Sequence, residues 1–268
     1  MGRPSWISSE VDLTRPSAAR VYDYYLGGSH NLEVDRRMAR EAISLWPELP
    51  KIMQSNRAFL RRAVRFAAAQ GITQFLDIGS GIPTVGNVHE VARQANPEAR
   101  VVYVDNDPVA VSHSRAILAG DDRTAVVRAD LRQPDGLLAD PLMAGTIDLA
   151  RPVAVLMVAV LHFVSDEDDP FGAVARLRDQ LAPGSFLVLS HASTEGRPEA
   201  AGSHRELYRR TATPMSMRSF AEIVRFFDGL ELVDPGLVWL PLWRPDEAGG
   251  RDLPPERTTG FAGVGRKR

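Results

Sequence analysis

Apolar side chains recur every third or fourth position up to about residue 70 and then gather into short unbroken runs. The first pattern predicts a helix over Ala18 to Leu26, stopped by Gly27-Gly28, because glycine tolerates the left-handed conformation that ends helices. A second helix is expected from Val34 to Leu45, ending before Pro47. A third follows Pro50, carries Ile52, Phe59, Ala63 and Phe66 on one face, and reaches Gly71. From Gln74 onward QFLDI, RVVYVD, AVVRAD, PVAVLMVAVL and SFLVLS read as strands. Between them, TVGNVHEVARQA, PVAVSHSRAILAG and PFGAVARLRDQLA read as helices. Unbroken apolar strands separated by helices predict an α/β fold with a mostly parallel sheet covered on both faces, and right-handed crossovers make it doubly wound.

After Ala192 a polar stretch, TEGRPEAAG, leads into the basic helical segment HRELYRRT. SFAEIVRFFDGLELV and GLVWLPLW then return to helix and strand, and TTGFAGVGRK is expected to add a final edge strand. The chain thus divides into an N-terminal helical cap (1–70), an α/β core (71–194), an insertion (195–217) and C-terminal elements completing the sheet (218–268). At roughly 100 to 200 residues per domain, 268 residues allow one or two domains, and one core sheet with a cap before it and a short insertion after its fifth strand narrows this to one.

Composition narrows the chemistry. There is no Cys, which removes disulfides, thiolate metal sites, iron–sulfur clusters and cysteine nucleophiles. Of the 32 basic residues only Lys51 and Lys267 are lysines. A formal charge of -2 gives no global reason to expect a polyanionic partner. The longest apolar stretch, Val153 to Val164 broken by His162, falls short of the ~18 residues of a membrane helix, and the N-terminus lacks a signal-peptide core. A cytoplasmic protein with no membrane and no nucleic-acid partner is expected.

The most informative stretch is Asp77-Ile78-Gly79-Ser80-Gly81-Ile82-Pro83-Thr84, which follows a strand and opens a helix. Absent side chains there let a ligand approach the backbone. A dinucleotide fingerprint wants a third glycine where Thr84 stands, and Pro83 has no N–H for a pyrophosphate. The second strand ends at Asp105 and the third at Asp130, so three aspartates stand at successive strand ends above one glycine loop. Each alone reads equally as a turn or helix-capping residue, as Asp107-Pro108 does. Together they point to a nucleoside site, since ligands of such sheets bind at those strand ends.

This arrangement resembles class I S-adenosylmethionine-dependent methyltransferases, whose first motif carries an acidic residue two positions before a glycine loop. The whole chain is similar to one bacterial group of them, methyltransferase family 19, through RVYDYYLGGSHN, NRAFLRRAVRF, QFLDIGSGIPTVGNVHEVA, VVYVDNDPVAV and FAGVGRK. The resemblance implies a Rossmann-like seven-stranded sheet, S-adenosyl-L-methionine as cofactor, and methyl transfer. It implies that Asp77, Gly79, Ser80 and Gly81 hold the methionine end, Asp105 and Asn106 the ribose, and Asp130 with Leu131 the adenine, with Ala159 beside them. Pro83, where the wider class has a third glycine, is a departure that the family shares.

Methyl transfer needs alignment of a nucleophile and exclusion of water; a base helps only when the acceptor must lose a proton. His162, after the fourth strand, is the candidate catalytic base, and His191, after the fifth, a second pocket residue. Each reads alternatively as a hydrogen-bonded structural histidine. In the cap, Tyr22, Tyr25, Gly28, His30 and Asn31 could close over the acceptor as a lid, or simply pack. The run Asp166 to Asp169 reads as a solvated cluster at a helix N-terminus, and no metal site is expected. Arg205, Arg209, Arg210, Arg218 and Arg225 read as a solvated basic face.

The competing enzyme class is a nicotinamide-dependent reductase. Its short-chain form needs a tyrosine four residues before a lysine, where Pro47 and Gly263 stand instead. Missing Cys excludes radical and cytosine-C5 methyltransferases, and no Asn/Asp-Pro-Pro-Tyr motif for exocyclic base amines is present. After the fourth strand stands Ala159-Val160-Leu161-His162 instead, which resembles small-molecule methyltransferases and implies a small-molecule acceptor. A regulatory protein that binds the cofactor without transfer is the non-enzyme alternative.

Overall fold

The computed structural model describes residues 14–83, 86–197, 202, 206–209, 211, 214–246 and 253–268. Three helices come first: α1 (Ala18–Tyr25), α2 (Glu33–Leu45) and α3 (Leu49–Ala69). A buried ion pair ties the first two together. Arg20 Nε donates to Asp35 at 2.7 Å, and Asp35 also accepts from the Ser17 and Leu32 amides, so the buried charges are paired and hydrogen-bonded. Arg20 also reaches Asp107 at 3.4 Å, which joins the cap to the core.

The core alternates as expected through β1 (Gln74–Ile78), α4 (Val88–Ala95), β2 (Arg100–Asp105), α5 (Pro108–Ile117), β3 (Thr124–Arg128), α6 (Pro134–Leu138), α7 (Pro141–Thr146), β4 (Ala154–Val158), α8 (Pro170–Gln180) and β5 (Phe186–Ala192). The chain closes with α9 (Phe220–Val224), β6 (Glu231–Leu232), β7 (Val238–Trp239) and β8 (Gly260–Arg266). The strand order is β3-β2-β1-β4-β5-β8-β6, with β7 also on β8. Strands β1 to β5 pair in parallel, whereas β8 runs antiparallel to β5, β6 and β7. Connections depart in opposite directions from β1 and β4, which makes their C-terminal ends the switch point where a crevice opens.

Alternation along β1 decides what faces what. Phe75 joins the cluster under the cap, with Phe59, Trp46 and Trp243, while Leu76 and Ile78 join the opposite cluster with Val102, Val104 and Met157. Asp77 shares the Phe75 face by the two-residue period of a strand, and so lies on the α3 side.

Three expectations are corrected. Among the described residues the sheet has eight strands, not seven, because SFAEIVRFFDGLELV and its continuation GLVWLPLW supply two strands, β6 and β7, separated by Pro235 and Gly236. β8 is not at the edge; it lies between β5 and β6, and its run is apolar because it is buried. The fourth strand stops at Val158 and not at Leu161, since Ala159 adopts a positive φ of 60° that ends the extended run. The first thirteen residues, Thr84, residues 198–201 of TEGRPEAAG, and His204, Arg205 and Arg210 of HRELYRRT lie outside the described residues.

Candidate active site

A cleft of about 1000 Å³ opens above the C-terminal ends of β1 to β4. Its floor is the glycine loop. The Gly79 and Ser80 amides donate to Val104 O at 2.8 and 3.1 Å, pinning the loop to the end of β2. Gly79 has φ 72°, and a Cβ there would overlap the Val160 side chain, so only glycine satisfies both backbone and neighbour.

Asp77, Asp105 and Asp130 all line this cleft, as do Gly79, Ser80, Gly81, Asn106, Leu131 and Ala159. Asp77 is buried, and burial pushes its carboxyl up to about 7, with nearby Arg57 pulling it down and Asp105 pushing it up. Asp105 accepts from Gly81 N and from Asp107 N, both at 2.8 Å, so it clamps the glycine loop to its own turn. Burial also raises Asp105, to about 6, against the pull of those amides. Asp130 lies two residues beyond β3, and Arg132 holds its carboxylate below the ordinary range through paired hydrogen bonds. Asp107 caps α5 by accepting from Val109 N at 2.7 Å.

Behind the cleft lies a small inner pocket of about 70 Å³, lined by His162, His191, Met53, Tyr208 and Met215. Ala18, Tyr22, Asn56, Ala159 and Phe163 line both spaces and form the partition between them. A hydrogen-bond chain runs along it: Ala159 N donates to Ser190 Oγ (3.0 Å), Ser190 Oγ to Asn56 Oδ1 (2.6 Å), and Asn56 Nδ2 to the Tyr22 hydroxyl (3.0 Å). The left-handed Ala159 and the cap helices are thereby held in one network.

His162 sits on the inner pocket and not on the cleft, because the turn after Ala159 carries the chain into Leu161–Phe163 beneath the cap. Its Nδ1 accepts from Ala192 N at 3.3 Å. His191 is bound on both sides: Nδ1 donates to Ala192 O at 2.7 Å and Nε2 accepts from Arg218 at 2.9 Å. Burial, with Arg218 beside it, pushes His191 down to about 3, so it stays neutral and structural.

Several sequence expectations move. Tyr25, Gly28 and Asn31 line neither space. Tyr25 packs in the cluster under the cap, since α1 turns it away from Tyr22. Gly28 and Asn31 instead build the loop after α1: Asn31 Nδ2 donates to Asp23 at 2.8 Å, and a Cβ on Gly28 would overlap that carboxylate. Arg218 is not solvated. It is 3% exposed and donates to Leu161 O, Val164 O and Asp166, holding the loop after β4. The acidic run is thus split, with Asp166 on Arg218 and Asp169 capping α8 through Gly172 N at 3.0 Å. Leu207 and Tyr208, inside the expected basic face, are buried with the cap. Among the described residues no three His, Asp or Glu side chains converge to hold a metal ion.

Residue-by-residue reading missed Asn56, Arg57 and Ser190. An amide in the otherwise apolar stripe of Ile52, Phe59 and Ala63 was the available signal for Asn56.

The profile of the S-adenosyl methyltransferase family matches residues 4–268. The chain belongs to that family. It is also 42% identical to a DUF574 family protein from Streptomyces avermitilis, with a TM-score of 0.92 over 96% of this chain and 99% of that one. A protein from Thermobifida fusca, described as a candidate methyltransferase, is 44% identical, with a TM-score of 0.92 over 99% and 100% of the two chains. The N-methyltransferase NodS from Bradyrhizobium japonicum, solved with S-adenosyl-L-homocysteine, shares the fold at 14% identity and TM-score 0.50, over 92% of this chain and 98% of that one. No curated protein matches the chain. The protein is an S-adenosylmethionine-dependent methyltransferase, with S-adenosylmethionine as its cofactor. Among the described residues no helix of the methyltransferase is long and apolar enough to cross a membrane.

Proposed function

We propose that the methyltransferase methylates a small-molecule acceptor, which enters from the cleft and places its reacting group toward the inner pocket beneath the cap. The observation that carries this reading is the shared partition. Tyr22, Asn56, Ala159 and Phe163 border both a nucleoside-sized cleft and a small, largely apolar chamber closed off by the N-terminal helices. A chamber this narrow suits a small ligand and not a polymer. Arg218 is turned inward, which breaks up the basic segment and removes the reason to expect a nucleic-acid partner. In this reading the whole chain works as a single domain.

Asp77 with Gly79, Ser80 and Gly81 would hold the methionine end of the cofactor, Asp105 and Asn106 the ribose, Asp130 and Leu131 the adenine, and Ala159 the wall next to the transferred methyl. The residues present suit such a ligand: the loop backbone is approachable and the carboxylates match a cationic, hydroxyl-bearing guest. When bound, the cofactor supplies a methyl group on a positively charged sulfur, displaced in line by the acceptor while the bonding pair returns to sulfur. Tyr22, Phe163 and the cap exclude water from that line. His162 would take the proton that the acceptor loses at Nδ1, giving up its long 3.3 Å contact with Ala192 N to do so.

Label from methyl-labelled cofactor is expected in the ultrafiltrate of a cell extract incubated with the protein; label in its nucleic acid or protein would sink the reading. His162→Ala is expected to leave S-adenosylhomocysteine affinity within about twofold by calorimetry while slowing transfer by about 10²- to 10⁴-fold. Unchanged transfer would remove His162 from the mechanism.

The raised carboxyls also predict a pH dependence. Asp77 must ionise to face an ammonium, so below its pKa of about 7 binding expels a proton. Affinity for S-adenosylhomocysteine is therefore expected to rise from about pH 5.5 to about pH 7.5 and then level, and Asp77→Asn should flatten that rise. In the ligand-free protein the sign reverses. The Asp77 contribution to stability is present in full below its ordinary value of 3.8 and is lost as the pH climbs through about 7.

A further inference from the structure

Arg57 projects from α3 into the cleft, one residue after Asn56, and its Nε is buried with no hydrogen-bond partner. Among the described residues it has no ion pair either. The neighbouring cleft arginines are engaged: Arg15 donates to Thr211 O, Arg20 to Asp35 and Arg132 to Asp130. A desolvated guanidinium N–H left unpaired costs free energy, and such exceptions in a folded chain call for an explanation. Arg57 stands near enough to Asp77 to pull down its pKa, yet the two form no ion pair. Among the described residues, Arg57 and Asp77 thus stand in the cleft as an unpaired cation and an unpaired carboxyl close enough to feel each other's charge.

That pairing restricts the anion. Asp105, Asp130, Glu167 and Asp168 also line the cleft, so its field disfavours a dianion such as a phosphate. A carboxylate carried on the same molecule as an ammonium and a sulfonium meets no such penalty. A planar guanidinium also matches a carboxylate through two parallel N–H···O bonds.

We propose that Arg57 is the carboxylate-binding residue of the cleft. With Asp77 it reads the zwitterion at the methionine end of the cofactor: Asp77 faces the ammonium, Arg57 the carboxylate. This rests on the cleft being the cofactor site. It makes Arg57 a specificity residue, one that separates ligands carrying an amino-acid tail from nucleosides that have lost it.

The test is calorimetry on the full-length protein with S-adenosylhomocysteine and with S-adenosyl-3-thiopropylamine, which keeps the nucleoside, thioether and amine but lacks the carboxylate. Wild type is expected to favour S-adenosylhomocysteine by at least about tenfold. Arg57→Met should lose at least about tenfold on S-adenosylhomocysteine, change the amine analogue by less than about twofold, and so erase the preference. Arg57→Lys should recover part of it, and circular dichroism should show both variants folded. Equal losses on both ligands would make Arg57 a structural residue and overturn the proposal. Undiminished S-adenosylhomocysteine affinity in Arg57→Met would overturn it too, and would leave the guanidinium to an acceptor's carboxylate. Wild type binding neither ligand would instead defeat the cofactor-site reading itself, and the assignment of Arg57 with it.

Discussion

Asp105→Ala is expected to cost at least about a hundredfold in affinity for S-adenosylhomocysteine, because one carboxylate does two jobs. Its two oxygens accept the Gly81 and Asp107 amides, which set the glycine loop and the turn after β2. Each oxygen keeps a further lone pair, and in the proposed site these accept the ribose hydroxyls. Hydrogen bonds to a charged group contribute about 1.5–3 kcal/mol each, so losing two to the ligand alone costs a hundredfold or more. Asp105→Asn is expected to be little better. Its amide oxygen can replace only one acceptor, and its NH2 would point at a backbone N–H, donor against donor. Calorimetry with both variants measures this, and an affinity within about threefold of wild type would move the ribose site elsewhere.

Gly79→Ala is expected to destabilise the protein by about 2–6 kcal/mol. A left-handed backbone costs a non-glycine residue about 1–3 kcal/mol, and forcing a methyl into packed space costs about as much again. Both apply, since Gly79 has φ 72° and its missing Cβ is replaced by the Val160 side chain. At about 2–4 °C per kcal/mol, Tm should fall by roughly 4–24 °C. Gly145→Ala is the control. It lies in α7 with open space where a Cβ would go, so it should be neutral or stabilising by about 0.5–1 kcal/mol. Equal Tm values for the two variants would show that the loop tolerates a side chain. Because Val160 belongs to the turn that carries His162 under the cap, Gly79→Ala should also impair binding of S-adenosylhomocysteine at temperatures where it remains folded.

Much of this site was legible in the chain. Period and composition alone locate three cap helices, five parallel strands and the acidic residues at their ends, because strand alternation and helix stripes are local consequences of backbone geometry. Once the sheet is parallel and doubly wound, residues just after its strands must share one rim. Asp77, Asp105 and Asp130 therefore converge, although they come from three separate strands.

What period does not encode is contact between distant segments. The Gly-rich β8 reads like an edge strand, yet it is buried between β5 and β6, a placement settled by packing on both of its faces. Arg218 reads like a surface charge, yet it is the buried clamp on the loop after β4 because Leu161 O, Val164 O and His191 all offer it acceptors. His162 reads as a cleft residue, but one left-handed alanine sends it to the inner pocket. The sequence by itself determined the sheet, its switch point and the acidic rim, since these follow from local geometry and chain handedness. Only the tertiary structure decided that α3 brings Asn56 and Arg57 over Asp77, because that depends on how a helix docks on a sheet face and not on any repeat along the chain.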